Sequence, residues 1–260
     1  MSARNVLAIA AHPDDIEFLM AGTLVLLGEA GYGLHYMNLA NGCCGSTEMD
    51  AATIAGIRQD EARQAAASIG AEFHESICRD LEIFYDQATL AQVASVIRLV
   101  QPTIVLTHGP SDYMEDHMNA CRLAVTAAFS RGMPNFPVQP PREAYADPVT
   151  LYHAQPYSHR DPLGQLVLPQ YFVNVEPVGR KKWDMLRCHQ SQKQWLDESQ
   201  GLDSYLQTMK DLDTELGDIS GRFQAAEGWR RHLHLGFCEA EDDPLLEALG
   251  ENIFMAGEES

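Results

Sequence analysis

Val6-Leu7-Ala8-Ile9-Ala10-Ala11-His12-Pro13-Asp14-Asp15 opens the chain with an apolar run that stops abruptly on a histidine, a proline and two acids. The run reads as a short strand. Its end places three metal-capable side chains at one strand tip, and open α/β sheets bind ligands just outside the carboxyl ends of their strands. A second reading stands beside this one. Proline suits the first position of a helix and carboxylates suit the positive end of its dipole, so the same residues can simply begin a helix. The choice between them rests on the rest of the chain.

Working outward, apolar runs alternate with helical patterns. Residues 16–30 read as a helix closed by Gly31, residues 34–39 as a second strand ending in Asn41-Gly42-Cys43-Cys44-Gly45-Ser46, and residues 51–70 as a helix. Residues 71–74 begin a third strand, 87–100 are helical, and Thr103-Ile104-Val105-Leu106-Thr107 is a fourth strand ending in His108-Gly109-Pro110-Ser111-Asp112. A helix follows over 117–130. Such alternation implies a Rossmann-like, doubly wound α/β fold: a mostly parallel sheet with helices on both faces. From 132 to 169 the pattern gives way to a proline-rich insertion that reads as a lid or a subunit interface, with 151–153 a short strand inside it. Residues 171–175 form the last clear strand. Helices are expected over 181–200 and 205–224, ahead of Trp229-Arg230-Arg231. No repeat or low-complexity linker divides the chain, so residues 1–260 are expected to form one domain.

The net charge of −19 argues against nucleic acid or an anionic membrane surface as the main partner, since both recruit clustered Lys and Arg. Part of that charge lies in residues 239–260, an acidic stretch that reads as a solvated end. No segment reaches the run of about 18 apolar residues that spans a bilayer. Six cysteines lie scattered without paired metal-type spacing, which fits reduced thiols and a cytoplasmic location.

The fourth strand is followed by Ser111-Asp112-Tyr113-Met114-Glu115-Asp116-His117. In a doubly wound sheet the first strand commonly neighbours the strand after the crossover, so the two tips would face one another. His117, Cys121, Ala124 and Ala128 share one helical face, which turns the His117 ring inward. A lone inward histidine is usually a core residue; opposite His-Pro-Asp-Asp it reads as a ligand. Two imidazoles and one carboxylate are the ligand set of a catalytic zinc, with the remaining position left to water. A second carboxylate beside the metal can then move the proton. His-Pro-Asp-Asp supplies both carboxylates, whereas Glu17 falls one residue too far along and reads as an ordinary helix residue.

These motifs resemble the PIG-L (LmbE-like) family of zinc-dependent N-deacetylases, which remove acetyl groups from N-acetylglucosamine-type amino sugars. The resemblance extends through Gly22-Thr23-Leu24, Asn41-Gly42, Arg58 with Glu61, Cys188-His189-Gln190-Ser191-Gln192 and Ala226-Glu227-Gly228. It implies one zinc (Zn2+) per chain on His12, Asp15 and His117, with Asp14 as the general base that activates the zinc-bound water. It also implies sugar contacts from Arg58 and Asp80, for which an exposed helix salt bridge and a turn residue are the respective alternatives. Asp116 would orient an imidazole, or cap the following helix.

One departure stands out. Relatives often carry a histidine three residues before the last ligand to support the oxyanion, and this chain has Met114 there. Methionine cannot donate a hydrogen bond, so zinc would act alone or with help from His108, His153, His159 or Tyr113. The expected activity is therefore a zinc amidohydrolase acting on a small N-acetylated substrate. The alternatives are a zinc amidase for a non-sugar amide or a metal- or sugar-binding homologue that has lost catalysis. A nucleotide-binding Rossmann domain is excluded at the first turn, where no Gly-x-Gly-x-x-Gly occurs. The oligomeric state, including a homo-oligomer, stays open at this point.

Overall fold

The opening apolar run forms β1 (Asn5–Ala10), and the computed structural model, which describes residues 4–192 and 204–257, buries it on both faces. Val6, Ala8 and Ala10 enter one hydrophobic core, while Leu7, Ile9 and Ala11 enter the other. A strand covered on both faces needs apolar side chains at every position, which is why the run does not alternate. Each fully buried Leu or Ile contributes about 1.5–3 kcal/mol.

The chain continues through α1 (Asp15–Leu19), α2 (Ala21–Glu29), β2 (Gly33–Asn38), α3 (Ala51–Ser68), β3 (Glu72–His74), α4 (Gln87–Val100), β4 (Ile104–Thr107) and α5 (Glu115–Phe129). It then forms β5 (Thr150–Ala154), β6 (Tyr171–Asn174), α6 (Gly179–Leu186), α7 (Ser204–Ser220), β7 (Ala226–Arg231), α8 (Pro244–Leu249) and β8 (Ile253–Met255). The eight strands make one sheet in the order β3-β2-β1-β4-β5-β7-β6-β8. Pairings from β3 through β5 are parallel, and β7, β6 and β8 join antiparallel. The expected single-domain, doubly wound and mostly parallel α/β sheet is therefore present. Its switch point lies where expected, with β1 between β2 and β4. Residues of α4 and α5 fill the core on one face, and those of α1, α2, α6, α7 and α8 fill the other.

Three local expectations need correction. The helix over 16–30 is two helices, broken at Met20 (φ −140°). The break frees a new helix start, where the buried Glu227 carboxylate accepts the N–H groups of Gly22 and Thr23 at 2.8 Å each. Gly22 must be glycine there, because a Cβ would lie 2.4 Å from Val175 Cγ1. Trp229-Arg230-Arg231, for which the sequence pattern marks no element, forms part of β7 inside the sheet. The short strand expected at 151–153 inside the insertion is present as β5, fully buried and paired with β4.

The acidic stretch after 239 is folded through residue 257, not a loose end. Asp243 caps α8 and accepts hydrogen bonds from the buried Tyr152 and Tyr171 hydroxyls at 2.7 Å, and β8 then closes the sheet edge. The helix expected over 181–200 ends at Leu186, and its portion from 193 onward lies outside the described residues. All six cysteines are free. Among the described residues no helix is long and apolar enough to cross a membrane.

Candidate active site

Because β1 and β4 are neighbours, the segments leaving them meet above the sheet. His12 and His117 approach to 5.6 Å between ring centroids, with Asp15 between them. Asp15 is the first residue of α1 and His117 lies in the first turn of α5, so the helix-start reading and the site reading are both true of the same residues.

The hydrogen bonds fix which nitrogen of each imidazole faces the centre. His12 Nε2 lies 3.0 Å from Asp116 Oδ2, leaving Nδ1 3.5 Å from Asp15 Oδ2. His117 Nδ1 lies 3.0 Å from Asp112 Oδ1, leaving Nε2 3.4 Å from Asp15 Oδ1. Those inner separations exceed the usual hydrogen-bond range of about 2.7–3.2 Å. Each is close to the roughly 3.3 Å between ligands bound at about 2.0 Å around a tetrahedral ion, with the two imidazoles facing different oxygens of the one Asp15 carboxylate. An imidazole whose outer nitrogen is held by a carboxylate is also the usual form of a metal-binding histidine.

Electrostatics agree. Burial opposes charge on His12, yet Asp116 and Asp15 outweigh it and hold the imidazole at about 9. Burial likewise opposes charge on His117, and Asp15 and Asp112 lift it to about 10. Asp15, though buried, is held well below the usual carboxylate range by His117, His108 and His12. The set is thus built to hold positive charge, whether protons or a metal cation.

Asp14 stands beside this set with a different environment. Its backbone is in the left-handed region (φ 109°), a strained state for an aspartate that recurs at functional sites. Its Oδ2 accepts from the Tyr205 hydroxyl at 2.7 Å and lies 3.4 Å from Arg58 Nη2. Burial pushes its carboxyl above the ordinary value, and Arg58 opposes that rise. Behind it, the buried Glu17 accepts from the Tyr36 hydroxyl at 3.0 Å and lies 3.4 Å from His189 Nε2. Glu17 is therefore a fully buried acid engaged by Tyr36 and facing His189, not an ordinary helix residue.

Arg58 is buried and donates to the Pro13 carbonyl, so it is not an exposed salt bridge. Gly42 makes room for it, since a Cβ there would meet Arg58 Cδ at 2.5 Å. Asp80 accepts from the N–H groups of Gly42 and Cys44 at 2.7 and 2.8 Å, holding the loop after β2. Asp116 does not cap α5: besides meeting His12, it accepts from Leu81 N–H at 2.7 Å. Of the four residues considered as substitutes for the missing histidine, three are buried. His108 stacks on His117 at 4.1 Å and accepts from Ala11 N–H, His153 contacts His232, and His159 contacts the Leu212 carbonyl. Only Tyr113 reaches the cavity, a space of about 380 Å³ that Asp14, Asp15, Arg58, Leu81 and Tyr157 also line.

Sequence reasoning left Asp112, Tyr205 and His189 without roles. Asp112 lies inside the quoted 111–117 segment, so its spacing to His117 carried a signal. Tyr205 is 191 residues from Asp14 and carried none.

The fold and site define a Rossmann-like α/β protein with a metal-capable set at the sheet's switch point. The PIG-L family model, described as GlcNAc-PI de-N-acetylase, matches residues 7–129. A diacetylchitobiose deacetylase of Thermococcus kodakarensis is 30% identical over 196 residues, spanning 73% of this chain and 70% of that protein. A 4-oxalmesaconate hydratase of Pseudomonas putida is 28% identical over 198 residues, spanning 73% and 74%. The structure of N,N'-diacetylchitobiose deacetylase from Pyrococcus horikoshii superposes with a TM-score of 0.75 at 22% identity, covering 90% of this chain and 85% of that one. The chain belongs to the PIG-L family of deacetylase-type amidohydrolases.

Proposed function

We propose that the protein is a zinc-dependent N-deacetylase, hydrolysing the acetyl amide of an N-acetylated amino sugar or a related small conjugate. The observation that carries this reading is the convergence of His12 Nδ1 and His117 Nε2 on the two oxygens of Asp15, at 3.5 and 3.4 Å, with the Asp14 carboxylate alongside, held by Tyr205 and Arg58. Zinc held by these three residues would supply Lewis-acid polarisation and water acidification at neutral pH.

Asp14 accepts a proton from the attacking water as the C–O bond forms. It returns that proton to the leaving nitrogen as the C–N bond breaks, giving acetate and the free amine. Tyr205 and Arg58 keep Asp14 available as a carboxylate and fix its orientation. Tyr113 and Tyr157, whose rings lie 6.1 Å apart on the cavity wall, supply the O–H donors that Met114 cannot. Asp116 and Asp112 orient the two imidazoles. Arg58 and Asp80 line the cavity and stand where a sugar would contact them, while Asp80 also holds the loop after β2 and Arg58 also donates to the Pro13 carbonyl.

The cavity lining also bears on the hydratase relative. An oxalmesaconate is a polycarboxylate, which cationic groups on the wall would favour. Among the described residues Arg58 is the only Lys or Arg on the wall, and Pro13 and Asp14 already engage it. Asp14, Asp15 and Asp80 add negative charge, while Phe18, Leu81, Tyr113 and Tyr157 offer apolar and aromatic surface. This lining suits a neutral, ring-bearing substrate.

The test loads the protein with zinc and measures amine and acetate release from N-acetyl amino sugars and from non-sugar N-acetyl amides. Asp14→Asn is expected to keep the metal and lose turnover. It should fold, because asparagine tolerates the left-handed backbone at least as well. His12→Ala is expected to lose the metal. Full activity in Asp14→Asn refutes the base assignment, and an inert zinc-loaded wild type across both panels refutes the deacetylase reading.

A further inference from the structure

A second group of metal-type ligands lies away from the catalytic cavity, on the two outermost parallel strands. His35 in β2 and His74 in β3 face each other with Nδ1 and Nε2 3.1 Å apart. Their ring centroids are 5.3 Å apart and the planes differ by 24°. Here the two nitrogens share one hydrogen bond, whichever ring donates, so one proton sits where an ion would bridge them. Glu72, the register partner of His35, places Oε2 3.7 Å from His35 Nδ1. None of the three lines the catalytic cavity.

We propose that His35, Glu72 and His74 form a second metal site, taking a divalent transition ion such as Zn2+, Ni2+ or Cu2+. Two imidazoles and one carboxylate are a donor set suited to those ions, with water completing the coordination. An ion would displace the shared proton, with the N···N separation opening by a few tenths of an ångström and the rings turning to aim both nitrogens at it. The backbone already fixes the spacing. Parallel strands pair Met37 with His74 and His35 with Glu72, and alternation along each strand sends all three side chains to the same face. Glu72 is exposed and gives the ion a way in.

The site would act as a clip. β3 has only three residues and forms the edge of the sheet, held by a short register to β2. An ion bound across the two strands ties that edge down, and metal binding that favours the folded state raises stability by mass action.

The proposal does not rest on the catalytic reading, and the test keeps the two apart. The His12→Ala/His117→Ala variant, which lacks the catalytic set, is titrated with zinc alone by calorimetry and checked by elemental analysis. It is expected to bind one zinc per chain at low-micromolar free metal and to melt at higher temperature when zinc is present. Adding His35→Ala and His74→Ala should abolish both effects. The milder Glu72→Gln change, at an exposed position, should weaken binding about tenfold without perturbing the fold. With Cu2+ in the same background, electron paramagnetic resonance should show coupling to two nitrogens. The absence of zinc uptake by the His12→Ala/His117→Ala protein overturns the proposal. Uptake that survives loss of His35 and His74 overturns it equally.

Discussion

Replacing Tyr205 with phenylalanine tests whether Asp14 works as a proton carrier whose affinity the protein sets. The Tyr205 hydroxyl donates to Asp14 Oδ2 at 2.7 Å, and the ring packs edge-on against Phe18 at 5.1 Å. Phenylalanine keeps the packing and removes only the donor. A hydrogen bond to a charged group is worth about 1.5–3 kcal/mol, and a pKa unit corresponds to about 1.36 kcal/mol. The donor stabilises the charged carboxylate, so its loss raises the Asp14 pKa by about one to two units. Burial already pushes this carboxyl up, and the change adds to that.

The base must be ionised to act, so the acid limb of kcat/KM moves to higher pH by the same amount. Activity below the limb falls about 10- to 100-fold and recovers towards wild type above it. The assay is amine release across pH 5 to 9, with zinc content measured at each end. A uniform drop with an unmoved limb would show that Tyr205 only packs. A limb that moves down would contradict the charge assigned to Asp14.

Other consequences follow from the contacts around the site. Asp112→Asn and Asp116→Asn each weaken the carboxylate that holds an imidazole's outer nitrogen. Zinc affinity, measured by competition with a chelator, should fall about 10- to 100-fold in each. Unchanged affinity in both variants would remove these residues from the support of the ligands. Lys182→Met should cost about 3–5 kcal/mol by chemical denaturation, because Lys182 is fully buried and meets Asp213 at 2.6 Å and Glu227 at 2.9 Å. Asp213 already sits at about 7, raised by burial against the pull of Lys182. A carboxyl raised in the folded state loses its stabilising share as pH rises through that value. Lys182→Met should therefore melt higher at pH 5.5 than at pH 8, and the reverse order would contradict the pairing.

What could be read from the chain was whatever lay close together along it. His12, Asp14 and Asp15 fall within four residues, and Asp116 and His117 are adjacent, so the sheet topology had only to bring two short segments together. The supports were hidden because they come from far away. Tyr205 is 191 residues from Asp14, and Glu227 is 205 residues from the Gly22 N–H that it accepts. No periodicity marks such pairs. The break at Met20 was masked because Leu19, Met20 and Ala21 continue the apolar pattern through it. The folded acidic stretch was masked by its charge. Asp243 is acidic yet buried between two tyrosine hydroxyls, and the four-residue spacing of Leu245 and Leu249 was the helical signal available there.

The carboxylates around the cavity explain how the site stays in place. Asp112, Asp116 and Asp80 each bind two groups from different points of the chain. Asp112 joins His117 to Met114 N–H, Asp116 joins His12 to Leu81 N–H, and Asp80 joins Gly42 to Cys44. The segments after β1, β2, β3 and β4 are thereby fixed before any ligand arrives. Such preorganisation removes the entropy that ordering those loops would otherwise cost on binding.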